Sequence, residues 1–302
     1  MKVNLTLEEK KIAYLTQFMN IYWLRPETAL WRTLDCMALQ EIEFIPPIVD
    51  VGCGDGLFSF TRGGGELSPE YDMFVQTENL ESFFDKVDIY NHFDETAISP
   101  VVTKPMAYQI DLGLDHKEAL LKKAFSLGCY NEVKTCDINH SLPLQDAQYR
   151  TIFCNILYWL ENYKNALKEF HRILTDDGQV ILLVPNQTFR NYCIYQKLYV
   201  KTGDPQWAWL NLLDRGRSEN IKHCQSYEQW STDFQEAGFS VVKHFQYLSK
   251  TVIEVWDIGL RPISPLLIEM ANKLSGSDRL SIKNKWIDRL MQLTEPICNL
   301  NT

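Results

Sequence analysis

Short apolar runs alternate along the chain with stretches whose apolar residues recur at helical spacing. The first apolar run, residues 48–51, leads directly into a glycine-rich segment, residues 52–56. Later runs predict strands at 108–114, about 133–136, 151–155 and 179–184, with helices predicted at 117–127 and about 162–174. Strands that alternate with helices of this length predict an α/β fold with a mostly parallel, doubly wound sheet.

Residues after 226 complete the predicted sheet. A helix over 227–236 ends at Gly238, and two β-rich stretches follow at 239–248 and 251–258. We expect these stretches to pair as an antiparallel hairpin at the sheet edge, which gives a seven-stranded sheet.

Both ends of the chain are predicted to be helical. Thr6 and Glu9 form a capping box, and the spacing after them predicts helices up to about Gln40. From about Ser264 the tail is helical and carries one apolar stripe, which consists of Ile282, Trp286, Leu290 and Leu293. This stripe packs on the rest of the chain or on a second subunit, so we expect a monomer or a homodimer.

These elements divide the chain into three predicted parts. A helical lead-in covers residues 1–45, a central domain covers 46–260, and a helical extension covers 261–302. Two inserts, 61–105 and 186–225, follow the carboxyl ends of strands, where α/β sheets bind ligands. We expect the inserts to form a cap over the substrate.

The charge balance narrows the expected partners. The 302 residues carry 39 acidic and 30 basic side chains, which gives a formal net charge of −9. Duplex nucleic acid is not an expected partner, because affinity for phosphate backbones comes mainly from clustered Lys and Arg. Nine of the acids lie between residues 66 and 98, as a solvated lid or as a surface that faces a cationic or polyhydroxyl substrate.

Composition also indicates the compartment. The longest unbroken apolar run, residues 180–184, is far shorter than the roughly 20 residues of a membrane span. The N-terminus lacks the apolar core of a secretion signal. Eight cysteines fall at irregular spacings, and no cluster of His, Asp and Glu has the spacing of a metal site. We therefore expect a cytoplasmic protein with reduced thiols, no membrane span and no metal.

The segment Asp50-Val-Gly-Cys-Gly-Asp-Gly56 is the first candidate for chemistry. Glycines allow a sharp turn and let a ligand approach the backbone where a Cβ would collide. A dinucleotide site expects a further glycine inside the helix, whereas position 57 is Leu. Because the Asp50 carboxylate would repel a phosphate, a cationic or zwitterionic ligand fits this turn better than NAD.

With these residues the chain resembles the class I S-adenosylmethionine-dependent methyltransferases, more closely the small-molecule group called type 11. The resemblance spans about residues 45 to 260 and is carried by Ile48-Val-Asp-Val-Gly-Cys-Gly-Asp-Gly56, Gly113-Leu-Asp115 with Ala124, Asp137 with Leu142-Pro143, Thr151-Ile-Phe-Cys-Asn155, His171-Arg-Ile-Leu174 with Gly178, and Glu236-Ala-Gly-Phe239. It implies a Rossmann-like fold, S-adenosylmethionine as cofactor, and methyl transfer as activity.

The resemblance also implies a position for each part of the cofactor. The turn, with Asp50 near the ammonium, holds the methionine part, and Asp115 accepts hydrogen bonds from the ribose hydroxyls. If the second strand were 72–75 instead, Glu78 would take the place of Asp115. The full set of predicted cofactor contacts is Asp50, Gly52, Cys53, Gly54, Leu114, Asp115, Asp137 at the adenine amino group, Ile138 against its ring, Asn155 and Ile156 towards the methyl group, and Arg25 on the carboxylate.

The acceptor side has weaker signals. His140, His223 and Tyr158 are the candidates for a catalytic side chain, although methyl transfer needs a base only when the acceptor must lose a proton. Aromatic residues of the second insert, among them Trp207 and Trp209, build a core or stack on a ring substrate. We expect a small polar acceptor, with a sugar or natural-product intermediate favoured. The alternatives are a macromolecular acceptor such as tRNA or protein, a non-catalytic binding protein on the same fold, and a nicotinamide oxidoreductase.

Overall fold

A five-stranded parallel sheet forms the centre of the molecule. The computed structural model describes residues 5–75, 100–208, 221–260 and 263–301. The strands are β1 (Ile48–Val51), β2 (Glu66–Leu67), β3 (Val102–Lys104), β4 (Ile110–Asp115), β5 (Tyr130–Thr135), β6 (Tyr149–Cys154) and β7 (Leu174–Leu182). The main sheet has the order β5-β4-β1-β6-β7, and β2 and β3 form a separate antiparallel pair. The predicted parallel, doubly wound α/β architecture is confirmed.

Helices cover the sheet and extend beyond it at both ends of the chain. They are α1 (Leu7–Ile21), α2 (Pro26–Ala38), α3 (Leu57–Arg62), α4 (Glu118–Ser126), α5 (Tyr163–Ile173), α6 (Phe189–Tyr192), α7 (Ile194–Thr202), α8 (Tyr227–Glu236), α9 (Lys250–Ile258), α10 (Ser264–Asn272) and α11 (Gly276–Cys298). The first begins at the predicted capping box of Thr6 and Glu9. Within the described ranges, no helix has both the length and the apolar character needed to cross a membrane.

The prediction of seven strands is wrong for the described residues, because the expected C-terminal hairpin does not form. Residues 239–249 contain no assigned strand, and the second predicted strand is α9. Ser249 caps this helix, and its buried residues, Val252 and Ile253, contribute to packing against α2 and α7. Tertiary packing along one helical face therefore outweighs the strand preference of a β-branched stretch.

The strand order places a crevice next to β1. This strand lies between β4 and β6, so Asp50 is opposite both Gly113 and Phe153. From β1 the chain builds β4 and β5 on one side and then crosses to β6 and β7 on the other. Where a doubly wound sheet changes direction in this way, the loops after neighbouring strands separate and leave space for a ligand. The glycine turn and the loop after β6 border that space.

The C-terminal helix packs within the chain, against α1 and α2. Of its predicted apolar stripe, Leu290 is buried, and the indole N–H of Trp286 donates to the carbonyl of Trp23 at 2.8 Å. The other two members, Ile282 and Leu293, are 40% and 66% exposed, so that part of the stripe is wrong. The buried face instead runs through Arg279, Lys283, Leu290, Thr294 and Cys298.

The first insert lies largely outside the described residues. Its two ends meet as the β2 and β3 pair, in which Glu66 is opposite Lys104. Residues 76–99, which include most of the acidic stretch and the alternative ribose ligand Glu78, are outside the described ranges. The roles predicted for that stretch therefore stay predictions.

A buried polar cluster joins α11 to the start of the first insert. Lys283, which is 1% exposed, donates to the Asn20 side chain at 2.6 Å, to the Pro69 carbonyl at 2.9 Å and to the Tyr71 carbonyl. Burial lowers the pKa of its ammonium to about 8, so the group is still charged at neutral pH. Its three oxygen partners compensate the cost of burying the charge.

We predict that Lys283→Ala destabilises the protein by about 3 kcal/mol or more, because three oxygens, those of Asn20 and Tyr71 buried, lose their donor. The matched control is Lys285→Ala on the exposed side of the same helix, which should stay within about 0.5 kcal/mol of the wild type. Urea unfolding of both variants measures the difference. Equal stabilities would show that the cluster does not hold the tail.

Candidate functional site

Three glycines with left-handed backbone build the turn after β1. Gly52, Gly54 and Gly56 have φ angles of +78°, +56° and +74°, a conformation that other residues adopt only at a cost. The N–H groups of Gly52 and Cys53 donate to the Leu114 carbonyl at 2.7 and 2.9 Å. These bonds fix the turn to the carboxyl end of β4. Leu114 thus serves the site through its backbone, while its side chain is buried in the core.

Gly52 and Gly54 require glycine for different reasons. A Cβ at Gly52 would lie 2.4 Å from Cγ1 of Ile156, so packing excludes any side chain there. A Cβ at Gly54 would meet no described atom within 4 Å. Because Gly54 lines the large cleft described below, that space is open to a ligand, which can approach the backbone closely.

Asp115 ends β4 beside this turn. Its Oδ2 accepts from the N–H of Gly54 at 3.0 Å, and its Oδ1 accepts from the N–H of Lys117 at 2.9 Å. The residue is 7% exposed and lines the cleft. Since a carboxylate oxygen can accept more than one hydrogen bond, Asp115 can hold the turn and still bind two hydroxyls of a ligand.

Asp50 lies beneath the turn. Its Oδ2 accepts from the Ser59 hydroxyl at 2.5 Å and from the Tyr130 hydroxyl at 2.8 Å, and the residue is 3% exposed. Burial raises the pKa of Asp50 to about 6, against the opposing effect of the two donated hydrogen bonds. The carboxylate therefore supports the turn from inside. Its predicted contact with the cofactor ammonium stays a prediction.

A cleft of about 2160 Å³ opens over the turn and the carboxyl ends of β1, β4 and β6. The predicted site residues that line it are Arg25, Asp50, Gly52, Cys53, Gly54, Asp115, Asn155, Ile156 and Tyr158. It continues along β7 to residues 240–248. Residues far apart in sequence thus meet at one crevice, as the strand order requires.

Arg25 lies in this cleft at the start of α2. Its Nε is 3.5 Å from Oε1 of Glu27, and its side chain is 14% exposed. That Nε has no hydrogen-bond partner among the described residues. A half-buried guanidinium that lines the cleft can pair with a carboxylate ligand, which is the role predicted for it.

The predicted adenine loop lies after β5. Asp137 is exposed, and hydrogen bonds from the Asn139 backbone and side chain lower the pKa of its carboxyl. Ile138 is buried in the core beside Leu112. His140, a candidate catalytic residue in the same loop, is exposed, and its Nδ1 is 3.0 Å from Oδ2 of Asp137. None of these side chains is among those that line the described part of the cleft.

The candidate catalytic residues separate in the structure. The ring centroid of His223 lies 4.4 Å from that of Tyr163 with the ring planes tilted by 52°, and its Nε2 is 2.9 Å from the Leu160 carbonyl. This histidine holds the loop after β6 and does not line the described cleft. Tyr158 does line it, and burial raises the pKa of its hydroxyl well above the ordinary value. It can therefore donate a hydrogen bond at neutral pH, whereas it is a poor base.

One wall of the cleft was not predicted from the sequence. Thr28 and Trp31 of α2, Phe189 of α6 and Trp256 of α9 all line it. The only sequence signal is the helical spacing of Arg25, Thr28 and Trp31, which places them on one face. Of the tryptophans named for the second insert, Trp207 is exposed outside the cleft lining and Trp209 lies outside the described residues.

Comparison with known proteins agrees with this geometry. Residues 30–244 match the family model described as a methyltransferase domain, so the chain belongs to this methyltransferase family. No curated protein matches it. Among solved structures, it is similar to an S-adenosylmethionine-dependent methyltransferase from Thermotoga maritima, with 16% identity, coverage of 70% of this chain and 72% of that one, and a TM-score of 0.41. It is also similar to an S-adenosylmethionine-dependent methyltransferase from Mesorhizobium loti, with 17% identity, coverage of 71% of this chain and 84% of that one, and a TM-score of 0.42.

The protein is an S-adenosylmethionine-dependent methyltransferase, and S-adenosylmethionine is its cofactor. The described residues fit that molecule. The open backbone at Gly54 admits a ligand, the oriented carboxylate of Asp115 can accept from a diol, and the half-buried guanidinium of Arg25 can bind a carboxylate. Such a combination matches the ribose and amino-acid parts of one ligand.

We predict that Gly54→Ala abolishes measurable cofactor binding, because the new Cβ fills the space through which a ligand reaches the backbone. Gly128→Ala is the matched control, since Gly128 also has a left-handed φ, +68°, and open space around a Cβ. Both variants should lose about 1 kcal/mol of stability from backbone strain. Calorimetric titration with S-adenosylmethionine distinguishes the two variants. Equal affinities of both for the cofactor would contradict a close contact between the ligand and the backbone of Gly54.

We predict that S-adenosylmethionine binds about tenfold more tightly at pH 7 than at about pH 5. The pKa of Asp50 is raised to about 6, so its carboxyl gains a negative charge over this range, and that charge attracts the cofactor ammonium. In Asp50→Asn the affinity should not vary with pH. The same pH dependence in both proteins would exclude Asp50 as the titrating group.

Proposed function

We propose that the protein transfers the methyl group of S-adenosylmethionine to a small molecule bound in the cleft beside the glycine turn. The acceptor proposed is a small polar metabolite, a sugar or a natural-product intermediate. The observation that carries this proposal is the open backbone of Gly54 next to the oriented carboxylate of Asp115, both facing one cleft.

Each cofactor group has a proposed partner. Asp115 binds the ribose hydroxyls, because its two oxygens are already held in place by backbone N–H groups. Arg25 binds the carboxylate, and Asp50 acts near the ammonium from beneath the turn. The adenine lies towards Asp137 and Ile138, at the carboxyl end of β5. Asn155 and Ile156 border the passage to the methyl group.

The chain contributes to the reaction by positioning the reactants and excluding water. Bound S-adenosylmethionine supplies a methyl group on a sulfonium, which an acceptor atom displaces in line. Holding the two reactants in that line in a dry site accounts for most of the acceleration that a protein can give. The Tyr158 hydroxyl donates a hydrogen bond to the acceptor, since its raised pKa keeps it protonated. Neither His140 nor His223 is proposed as a base, given their positions.

A small acceptor is favoured over a macromolecule by the walls of the cleft. Helices α2, α6 and α9 all contribute side chains to it, so the crevice is bordered by helices as well as by the sheet. The net charge of −9 also disfavours an RNA partner.

All eight cysteines are free thiols, which supports the proposal that the protein works in the reducing cytoplasm.

The test is calorimetric titration of the purified protein with S-adenosylmethionine and, separately, with NAD. We expect binding of S-adenosylmethionine alone. Asp115→Ala should weaken it by roughly ten- to a hundredfold, because hydrogen bonds to a charged group are lost. Glu118→Ala, in the exposed first turn of α4, is the control and should bind normally. Preferential NAD binding, or equal affinities of the two variants, would contradict the proposed site.

A further inference from the structure

Helix α2 presents one face to the cleft. Arg25, Thr28, Trp31 and Arg32 all line it, and their spacing of three and four residues puts them side by side on the helix. Both arginines lie close to acids, since Arg25 lies 3.5 Å from Glu27 and Arg32 lies 3.1 Å from Asp35. The face as a whole is therefore close to neutral, which suits an uncharged ligand.

An aromatic wall continues this face. We use that name for Trp31, Phe189 and Trp256. The ring centroids of Trp31 and Trp256 are 4.3 Å apart, and Phe189 lies 6.0 Å from each. Phe189 is 6% exposed, whereas the two indoles are only partly buried and line the cleft. The wall thus offers aromatic surface to the cleft from three different helices, α2, α6 and α9.

The Thr28 hydroxyl lies one helical turn from Trp31. Its Oγ1 is buried and has no hydrogen-bond partner among the described residues, although the residue lines the cleft. An unpaired buried hydroxyl costs about 1–3 kcal/mol. Because the residue lines the cleft, rotation of its side chain to the other helical rotamer can turn the hydroxyl towards a ligand group, which removes that cost by donating to this oxygen or accepting from its hydrogen.

We propose that the part of this face beyond Arg25, formed by Thr28, Trp31 and Arg32, is the acceptor site, and that the acceptor is an uncharged, flat ring molecule with one hydroxyl or carbonyl group beside Thr28. Its apolar face lies on the aromatic wall, because aromatic surface gains most from burying another ring. Thr28 and Trp31 are then specificity-determining residues. The inference rests on the proposed function and narrows its acceptor towards a ring-bearing intermediate and away from a polyhydroxyl sugar, which needs more polar partners than this face provides.

The test compares two flat probes, 2-naphthol and naphthalene, which differ by one hydroxyl. Their affinities for the full chain are measured by ligand-observed NMR, with no methyl transfer involved. For the wild type we expect saturable binding of both, and roughly fivefold tighter binding of 2-naphthol, the equivalent of one neutral hydrogen bond.

Thr28→Val should abolish the preference for 2-naphthol and leave naphthalene binding unchanged. Its thermal stability should stay equal to or rise above that of the wild type, since an unpaired hydroxyl is replaced by a methyl group. Thr33→Val is the matched control on the same helix. The hydroxyl of Thr33 donates to the Ala29 carbonyl at 2.8 Å, so this variant should lose stability and keep the preference.

A second pair of variants tests the wall. Trp31→Leu should weaken both probes about tenfold, whereas Trp207→Leu, at an exposed position outside the cleft lining, should not. No saturable binding to the wild type, or a naphthol preference that survives Thr28→Val, would overturn the proposal.

Cofactor affinity of the same preparations is measured in parallel. A wild type that binds the probes but not S-adenosylmethionine would count against the proposed function, and not against the ring site.

Discussion

The site depends on the attachment of the glycine turn to the end of β4. Two consecutive N–H groups of the turn donate to the Leu114 carbonyl, and a third donates to the Asp115 carboxylate. Asp50 holds the same turn from beneath through Ser59 and Tyr130. Because these bonds are buried or nearly so, the backbone at Gly54 is fixed before any ligand arrives. A rigid turn loses little conformational entropy when a ligand binds, which favours the cofactor contact proposed at Gly54.

The two halves of the cleft follow different physical rules. On the cofactor side, backbone groups and oriented charges at strand ends determine what can bind, and these come from the sheet. On the other side, α2, α6 and α9 contribute ring faces and one unpaired hydroxyl, and these come from segments outside the sheet. The proposed cofactor contacts therefore come mainly from the sheet, and the proposed acceptor contacts come from these three helices.

Local sequence was sufficient wherever a strong signal acted over a few residues. It predicted β1 at Ile48–Val51 and α8 at Tyr227–Glu236 with their observed bounds, and it predicted the glycine turn after β1. The physical reason is that a buried strand, a helix cap or a left-handed glycine constrains its own neighbours directly. The class of methyltransferase also followed from these motifs and from their order along the chain, both of which can be read from the sequence directly.

Only the tertiary structure decided the elements whose conformation depends on distant partners. The stretch after Ser249 is rich in β-branched residues and reads as a strand, yet it is a helix because α2 and α7 bury one of its faces. The first and last members of the tail stripe, Ile282 and Leu293, are exposed. Near Ile282, the charged Lys283 and Arg279 turn inwards instead and meet oxygens of α1 and the first insert. His223 binds a carbonyl, and Thr28 lies beside the aromatic wall, for the same reason. Contacts between residues distant in the sequence determine which of these conformations has the lower free energy, and a local sequence pattern contains no information about such contacts.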